Sequence, residues 1–118
     1  MEAAYVFRVT FRLDPPSVGV DPDRFETVVT KPAAEPGTEG WLFFRDALWR
    51  GEVSDEAHLR SLATEWLSVP VTSVSFSELR ADEAYVDALR GAIEASASFG
   101  DPPRDVLHAH LGSSIRVD

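Results

Sequence analysis

The stretch YVFRVTFRL, residues 5–13, decides the fold. Apolar residues occupy every second position of this stretch, namely Tyr5, Phe7, Val9, Phe11 and Leu13. The positions between them are Val6, Arg8, Thr10 and Arg12, which include two arginines. Since successive side chains of a strand point to opposite faces of a sheet, this period of two predicts a half-buried strand. The pair Pro15–Pro16 follows. Proline cannot donate to a strand ladder, so we expect the strand to end there.

Two further strands are predicted before the middle of the chain. The stretch FETVVT, residues 25–30, is rich in β-branched residues. Residues 31–40, KPAAEPGTEG, predict an exposed loop because proline, glycine and glutamate dominate it. Residues 41–50, WLFFRDALWR, predict a third strand that is covered on both sides, since both of its alternating sets are partly apolar. A short helix is the alternative there, because Phe44 and Leu48 lie four residues apart.

The second half of the chain predicts two helices and two more strands. Ser54 is the expected N-cap of the first helix, whose apolar stripe is Leu59, Leu62, Ala63 and Trp66. Residues 71–79, VTSVSFSEL, return to a period of two, and Asp82 is the expected N-cap of the second helix. Residues 105–111, DVLHAHL, predict a last strand, and the tail 112–118 either extends it or frays.

This order, β-β-β-α-β-α-β, predicts one α+β domain that spans residues 1–118. Two helices of similar length can cover one face of a single sheet. We therefore expect a two-layer sandwich with ferredoxin-like character. Its sheet should have four or five mostly antiparallel strands.

Charge restricts the partners of the chain. Twenty acidic residues against eleven basic ones give a formal net charge of −9, and Lys31 is the single lysine among the bases. Non-specific binding to nucleic acid requires neutralised phosphates, so we do not expect it here. The pattern has two explanations: a genome that favours arginine codons, or a cytoplasm with molar salt. The second is favoured because the Debye length falls to about 3 Å at 1 M salt and screens the self-repulsion of the acids.

Composition and motifs favour a cytoplasmic, non-enzymatic protein. The chain has no cysteine, which excludes disulfides and thiolate chemistry, and no run of 18 apolar residues. Its first residues carry charges inside the apolar run, unlike a signal peptide. Phosphate-binding glycine loops, nucleophile elbows and the HExxH metal motif do not occur. We expect no cofactor and no membrane association.

Two groups of residues could nevertheless bind a ligand. On a strand, His108 and His110 would share one face about 7 Å apart, a spacing that suits a divalent metal if a third ligand lies near. Arginine clusters recognise carboxylates and phosphates. The candidates for such an anion site are Arg8, Arg12 and Arg116, with Arg45 and Arg50 as neighbours.

The tripeptide Leu48-Trp49-Arg50 carries a family resemblance. Together with the acidic, lysine-poor composition, the stretch GEVSDEAHL (51–59) and the tail motif SSIRV (113–117), it resembles the LWR-salt family of small haloarchaeal proteins. The resemblance extends over the whole chain. It implies a cytoplasm with molar salt, and it implies no catalytic role for any residue.

Two functions from different classes follow. The leading hypothesis is a binding module that contacts a protein partner or a second copy of the chain. Tryptophan and arginine are enriched at interface hot spots, and the residues expected at this interface are Trp41, Phe43, Arg45, Leu48, Trp49 and Arg50. The alternative is a small metal- or anion-dependent enzyme that uses His108, His110 and the arginines.

Overall fold

The computed structural model describes residues 1–12, 24–96 and 99–117, and the fold is α+β. In chain order the elements are β1 (Ala3–Arg12), β2 (Arg24–Pro32), α1 (Phe43–Ala47), β3 (Leu48–Trp49), β4 (Glu52–Val53), α2 (Glu56–Leu67), β5 (Val71–Ala81), α3 (Glu83–Ala95), α4 (Pro103–Leu111) and β6 (Ile115–Val117). The strands predicted at 5–13, 25–30 and 71–79 correspond to β1, β2 and β5. Leu13 and the pair Pro15–Pro16 lie outside the described residues.

The main sheet has four strands in the order β2-β1-β5-β6. Strands β2 and β5 are antiparallel to β1, whereas β6 is parallel to β5. Parallel pairing requires a long crossover, which α3 and α4 provide. The sheet is therefore mixed, and the predicted ferredoxin-like order is not observed. A separate two-stranded sheet pairs β3 with β4.

One face of the main sheet carries the core. Tyr5, Phe7 and Val9 of β1 are buried and alternate with the exposed Arg8. Helical residues complete the core and include Leu59 and Ala63 of α2, Tyr85, Leu89 and Ile93 of α3, and Val106, Leu107 and Leu111 of α4. The alternation in β1 thus decides which side of the sheet the helices cover.

The helix N-caps agree with the sequence for α3 but not for α2. Asp82 accepts a hydrogen bond from the Tyr85 N–H at 2.8 Å, as predicted. For α2 the cap is Asp55, which accepts from the His58 N–H at 3.1 Å. Ser54 was the wrong choice because its hydroxyl donates instead to the Asp46 carbonyl at 3.4 Å.

Residues 41–50 do not form the predicted strand. Gly40 has φ +86°, and the chain then winds into one helical turn, in which the Asp46 N–H donates to the Leu42 carbonyl at 3.1 Å. This turn buries Phe44 in the core. The short-helix alternative is therefore correct for α1, and strand geometry is limited to β3.

Residues 105–111 are helical, so the strand predicted there is wrong. Pro103 occupies the first turn, where its missing N–H has no cost, and Gly112 with φ +62° ends the helix. The tail contains β6, which pairs with β5, so it forms a strand without extending another one. Residue 118 lies outside the described residues.

The loop predicted at 31–40 begins two residues later, because β2 continues to Pro32. Tyr85 fixes this loop by donating its hydroxyl to the Ala34 carbonyl at 2.8 Å. In the described part of the chain, none of the helices has the length and apolar character needed to span a bilayer.

Candidate functional site

A tight hairpin presents the Leu48-Trp49-Arg50 tripeptide. Leu48 pairs with Val53 and Trp49 with Glu52, which leaves Arg50 and Gly51 as a two-residue turn. Both turn residues have positive φ, +52° for Arg50 and +79° for Gly51. Two-residue hairpins favour such turns because their twist matches that of the strands. Glycine adopts this backbone freely, whereas a left-handed arginine costs about 1–2 kcal/mol and must be held by its surroundings.

Helix α4 holds the turn through its carboxyl end. The Arg50 N–H donates to the Ala109 carbonyl at 2.6 Å, and the Gly51 N–H donates to the His110 carbonyl at 3.0 Å. The last four carbonyls of a helix have no partner within it. The hairpin satisfies two of them here, and local hydrogen bonds satisfy the others, from Gly112 N to His108 O at 2.9 Å and from Ser114 N to Leu111 O at 3.2 Å. The backbone of the tripeptide therefore works as a helix cap.

Two glycines permit this close approach of backbones. A Cβ on Gly51 would lie 3.1 Å from the Leu111 carbonyl oxygen, and one on Gly112 would lie 3.3 Å from the Arg50 carbonyl oxygen. Since φ is also positive at both positions, a side chain at either one meets steric and backbone strain together.

The side chains of the tripeptide have different environments. Leu48 is 1% exposed and belongs to the core, whereas Trp49 is 50% exposed. Arg50 is also exposed, and its Cζ lies 5.8 Å from the centroid of the Trp49 ring. That distance allows a cation–π contact worth about 0.5–1 kcal/mol at an exposed site. Leu48 thus anchors the hairpin, while Trp49 and Arg50 face solvent.

His110 supports the hairpin from α4. Its Nδ1 lies 2.9 Å from the Leu48 carbonyl oxygen. Because a carbonyl only accepts, Nδ1 carries the hydrogen. The imidazole ring also makes edge contacts with Phe44 at 5.7 Å and with Trp49 at 5.3 Å. His110 was predicted as half of a metal pair. Its structural role could not be predicted from local pattern, because it depends on a contact between residues 62 positions apart.

An aromatic seam continues from His110 into the fold. We define it as Trp49, His110, Phe44, Phe99 and Trp41. Phe44 stacks on Phe99 at 6.3 Å with 10° between the ring planes, and Trp41 contacts both rings at 6.3 and 6.4 Å. An arginine lies at each end: Arg50 beside Trp49, and Arg45 with its Cζ 6.0 Å from the Phe99 ring. Four of the six residues predicted at the interface, Trp41, Arg45, Trp49 and Arg50, therefore belong to this seam or border it.

Phe43 and Leu48 do not share that surface. Phe43 packs on the sheet, 4.7 Å from the Tyr5 ring and 6.2 Å from the Phe7 ring. The strand predicted at residues 41–50 would have put Trp41, Phe43 and Trp49 on one face; α1 replaces that strand and turns Phe43 towards the sheet. Only Trp49 of the three is largely exposed.

A small cavity lies where Phe43 meets the sheet. Its volume is about 280 Å³, and Tyr5, Lys31 and Trp66 help to line it. The Lys31 Nζ lies 4.8 Å from the Trp66 ring centroid. Burial raises the pKa of Tyr5 well above its ordinary value, the charge of Tyr85 adds to the rise, and a hydrogen bond from the Phe44 backbone opposes it. The cavity is smaller than the usual range for small-molecule sites, about 300–1,000 Å³.

The predicted metal pair loses its geometric basis. Residues two apart on a helix point about 200° around the axis from each other, so His108 and His110 face different sides of α4. His108 is exposed, while His110 is engaged by Leu48. Throughout residues 1–12, 24–96 and 99–117, no group of three histidine, aspartate or glutamate side chains has the arrangement to hold a metal ion.

The three arginines of the predicted anion site share one face of the sheet, and the two neighbouring candidates lie elsewhere. Arg8 and Arg12 lie on the sheet face opposite the core, and Arg116 lies on β6 in register with Arg80. From strand spacing and rise, Arg116 is about 16 Å from Arg8. Arg45 and Arg50 belong to α1 and to the hairpin turn. No single site brings all five arginines together.

Comparisons with known proteins identify the family. No curated protein and no solved structure matches the chain. A family model described as LWR-salt protein matches residues 1–118. The chain therefore belongs to the LWR-salt protein family.

Proposed function

We propose that this protein is a non-enzymatic interaction module whose contact residues are Trp49 and Arg50. One observation carries the proposal: the backbone at the hairpin tip serves the fold, whereas the side chains of Trp49 and Arg50 are exposed. Folding alone accounts for Leu48 and Gly51. It does not account for the exposed half of the Trp49 side chain or for the exposed Arg50 side chain.

The rigidity of the hairpin suits it to recognition. Two hydrogen bonds from the turn to α4 and a third from His110 to the Leu48 carbonyl fix the tip. A preorganised surface loses little conformational entropy when a partner binds. Trp49 offers a large apolar ring, and Arg50 offers a planar guanidinium that pairs with carboxylates.

The partner is a second protein or another copy of this chain. Both residue types at the tip are enriched in interface hot spots. At a hot spot, truncation of one side chain weakens the binding free energy by about 2 kcal/mol or more. The acidic composition and the absence of cysteine support a cytoplasmic, salt-adapted setting for this interaction.

The described residues do not bring together the groups that the enzymatic alternative requires. That alternative required His108 and His110 on one strand face, close to a cluster of arginines. Helix α4 separates the two imidazoles, and the arginines lie in two regions. We therefore propose only the interaction module.

The test is affinity purification from lysate of the source organism at its native salt. Wild type is compared with Trp49→Ala and Arg50→Ala, and with Arg104→Ala, a matched control at an exposed arginine of α4. Circular dichroism first establishes that all four proteins are folded. Sedimentation equilibrium of the same proteins tests self-association.

The expected result is one protein, or the chain itself, that associates with wild type and with Arg104→Ala. Its binding, measured again with purified components, should weaken about thirtyfold or more in Trp49→Ala or Arg50→Ala, as expected for a hot spot. Equal binding by all four proteins, or no association with any of them, would overturn the proposal.

A further inference from the structure

Positive charge is concentrated on the face of the sheet opposite the core. Strand register places five arginines and two glutamates there, namely Arg8, Arg12, Arg24, Arg80 and Arg116 with Glu26 and Glu78. This outer face has a formal charge of +3. Because the whole chain carries −9, the remaining residues carry −12. The outer face is thus opposite in sign to the rest of the molecule.

The middle of the outer face is exposed to solvent, whereas Val6 on the same face is buried. Arg8 and Val28, which face each other across β1 and β2, are both exposed, and Val28 is 59% exposed. Ser73 and Ser75 of β5 are exposed beside them. The surface thus combines guanidinium groups, hydroxyls and one apolar side chain.

Three of the arginines form a diagonal row. Arg24 is opposite Arg12 and Arg80 is opposite Ala4, so each lies four residues along from Arg8 and one strand away. Strand rise and spacing make each step about 14 Å, and the row about 28 Å long. An extended peptide of about nine residues has that length.

Arg8 is available for an external anion. Within residues 1–12, 24–96 and 99–117, neither Arg8 nor Arg24 forms an ion pair, whereas the Arg80 Nε lies 3.5 Å from the Glu78 Oε2. Glu78 Oε2 is buried without a hydrogen bond, so Arg80 is the neighbour that compensates its charge. Among the described residues, no acid pairs with Arg8 at the middle of the row in this way.

The chemistry of the face favours a peptide over a nucleic acid. Single-stranded nucleic acids bind sheets by stacking bases on aromatic side chains. The aromatic residues in the described strands of the main sheet, Tyr5, Phe7, Phe11, Phe25 and Phe76, share the core side of the register. The excess negative charge elsewhere would also repel a long phosphate backbone.

We propose that the outer face binds an extended acidic polypeptide segment, with Arg8 as its central contact and Arg24 and Arg80 as flanking contacts. Guanidinium groups pair with carboxylates in bidentate geometry, and exposed serines add hydroxyl donors. In an extended segment, carboxylates on every fourth residue match the spacing of the row. This surface is distinct from Trp49 and Arg50. The result of the peptide-binding test is therefore independent of the interaction proposed for the hairpin.

The experiment measures fluorescence anisotropy of a labelled decaglutamate peptide, at the lowest salt in which circular dichroism shows folded protein. Arg8→Glu is compared with Arg104→Glu, which makes the same change in net charge on an exposed residue of α4. Arg8→Gln provides a second variant that removes the charge without reversing it. A labelled ten-nucleotide oligothymidylate tests the nucleic acid alternative.

Wild type should bind decaglutamate more tightly than oligothymidylate. Arg8→Glu should weaken the peptide about tenfold, Arg8→Gln should weaken it about threefold, and Arg104→Glu should change it less than twofold, as expected for loss of a charge-assisted hydrogen bond. Three results would overturn the proposal: no peptide binding by wild type, equal weakening by the two glutamate variants, or tighter Arg8-dependent binding of the oligonucleotide.

Discussion

Gly51 sits where the hairpin turn meets the end of α4, and it combines positive φ with a backbone contact. A Cβ there would approach the Leu111 carbonyl oxygen to 3.1 Å. Gly91, in the middle of α3, has nothing within 4 Å of its Cβ position. Substitution by alanine should therefore have opposite effects on stability at these two glycines.

Gly51→Ala should destabilise the protein by about 1–3 kcal/mol, because alanine adds strain and a steric contact. Gly91→Ala should stabilise it by about 0.5–1 kcal/mol, since alanine is the better helix former. Urea unfolding of both variants measures the difference. A Gly51→Ala protein as stable as wild type would mean that the turn does not rest on α4 as described.

The ionisation of the Tyr85 phenol should make the stability of the protein depend on pH under alkaline conditions. Burial raises the pKa of Tyr85 from 10.0 to about 12. Below pH 10 the phenol is protonated in both the folded and the unfolded state. As pH rises from 10 to 12 the unfolded state loses its proton first, so the free energy of unfolding falls, and the contribution is lost above pH 12.

Tyr85→Phe should therefore make the decline in stability between pH 10 and 12 shallower. At pH 7 the variant should lose about 1 kcal/mol, because the hydrogen bond to the Ala34 carbonyl is removed. The free energy of unfolding of the variant should still fall with rising pH, but less than that of wild type, since burial also raises the pKa of Tyr5. Urea unfolding at several pH values measures both slopes, and parallel curves would contradict the assignment.

At the scale of elements, Asp82 joins the start of α3 to the start of β1. Its two carboxylate oxygens accept hydrogen bonds at 2.8 Å, one from the Tyr85 N–H and one from the Glu2 N–H. These hydrogen bonds hold the pKa of Asp82 below 3.8, and the one from the Tyr85 N–H has the larger effect. A lowered pKa means that the stabilisation is present above pH 3.8 and is lost as pH falls through the lowered value.

Asp82→Ala should lower the melting temperature at pH 7 more than Asp55→Ala does. Asp55 caps α2 through one hydrogen bond, to the His58 N–H, whereas Asp82 accepts two from different elements. The gap between wild type and Asp82→Ala should narrow as the pH is lowered from 4 towards 2, below the ordinary carboxyl range. Calorimetry at both pH values measures it, and an unchanged gap would contradict the pKa direction.

Local pattern predicted the elements whose periodicity is unambiguous. In the stretch 5–13, which includes most of β1, five apolar residues alternate over nine positions, and this long run of period two favours a strand. The seven residues 105–111 fit both periods, since Leu107 and Leu111 are also four apart. The flanking Pro103 and Gly112 are helix start and stop signals that should have decided the matter.

The candidate site was predictable only in part, because its contacts are non-local. The sequence indicated Trp49 and Arg50 by residue type. The packing of Phe99 and His110 against Phe44 joins segments more than fifty residues apart, and no local pattern encodes it. The Arg50–Gly51 turn left one local trace, a glycine between two short apolar segments.

At the scale of the whole molecule, charge should control stability. Twenty acids face eleven bases, and much of the excess lies away from the outer sheet face. In dilute buffer these acids repel one another, whereas at 1 M salt the Debye length is about 3 Å. Far-UV circular dichroism should show more helix and strand, and a higher melting temperature, in molar potassium chloride than in dilute buffer. Sucrose, which does not screen charge, is the control, and identical spectra and melting temperatures across the salt range would contradict this account.

Leu48 lies in the core, whereas the Arg50 side chain is exposed, so the two residues should differ in their effect on folding. Urea unfolding of Leu48→Ala and Arg50→Ala in molar potassium chloride measures this difference. Leu48→Ala should lose about 2–5 kcal/mol, because it opens a cavity in the core. Arg50→Ala should lose less than about 1 kcal/mol, since only an exposed contact with Trp49 is removed. Equal losses of unfolding free energy in the two variants would mean that the Arg50 side chain also serves the fold.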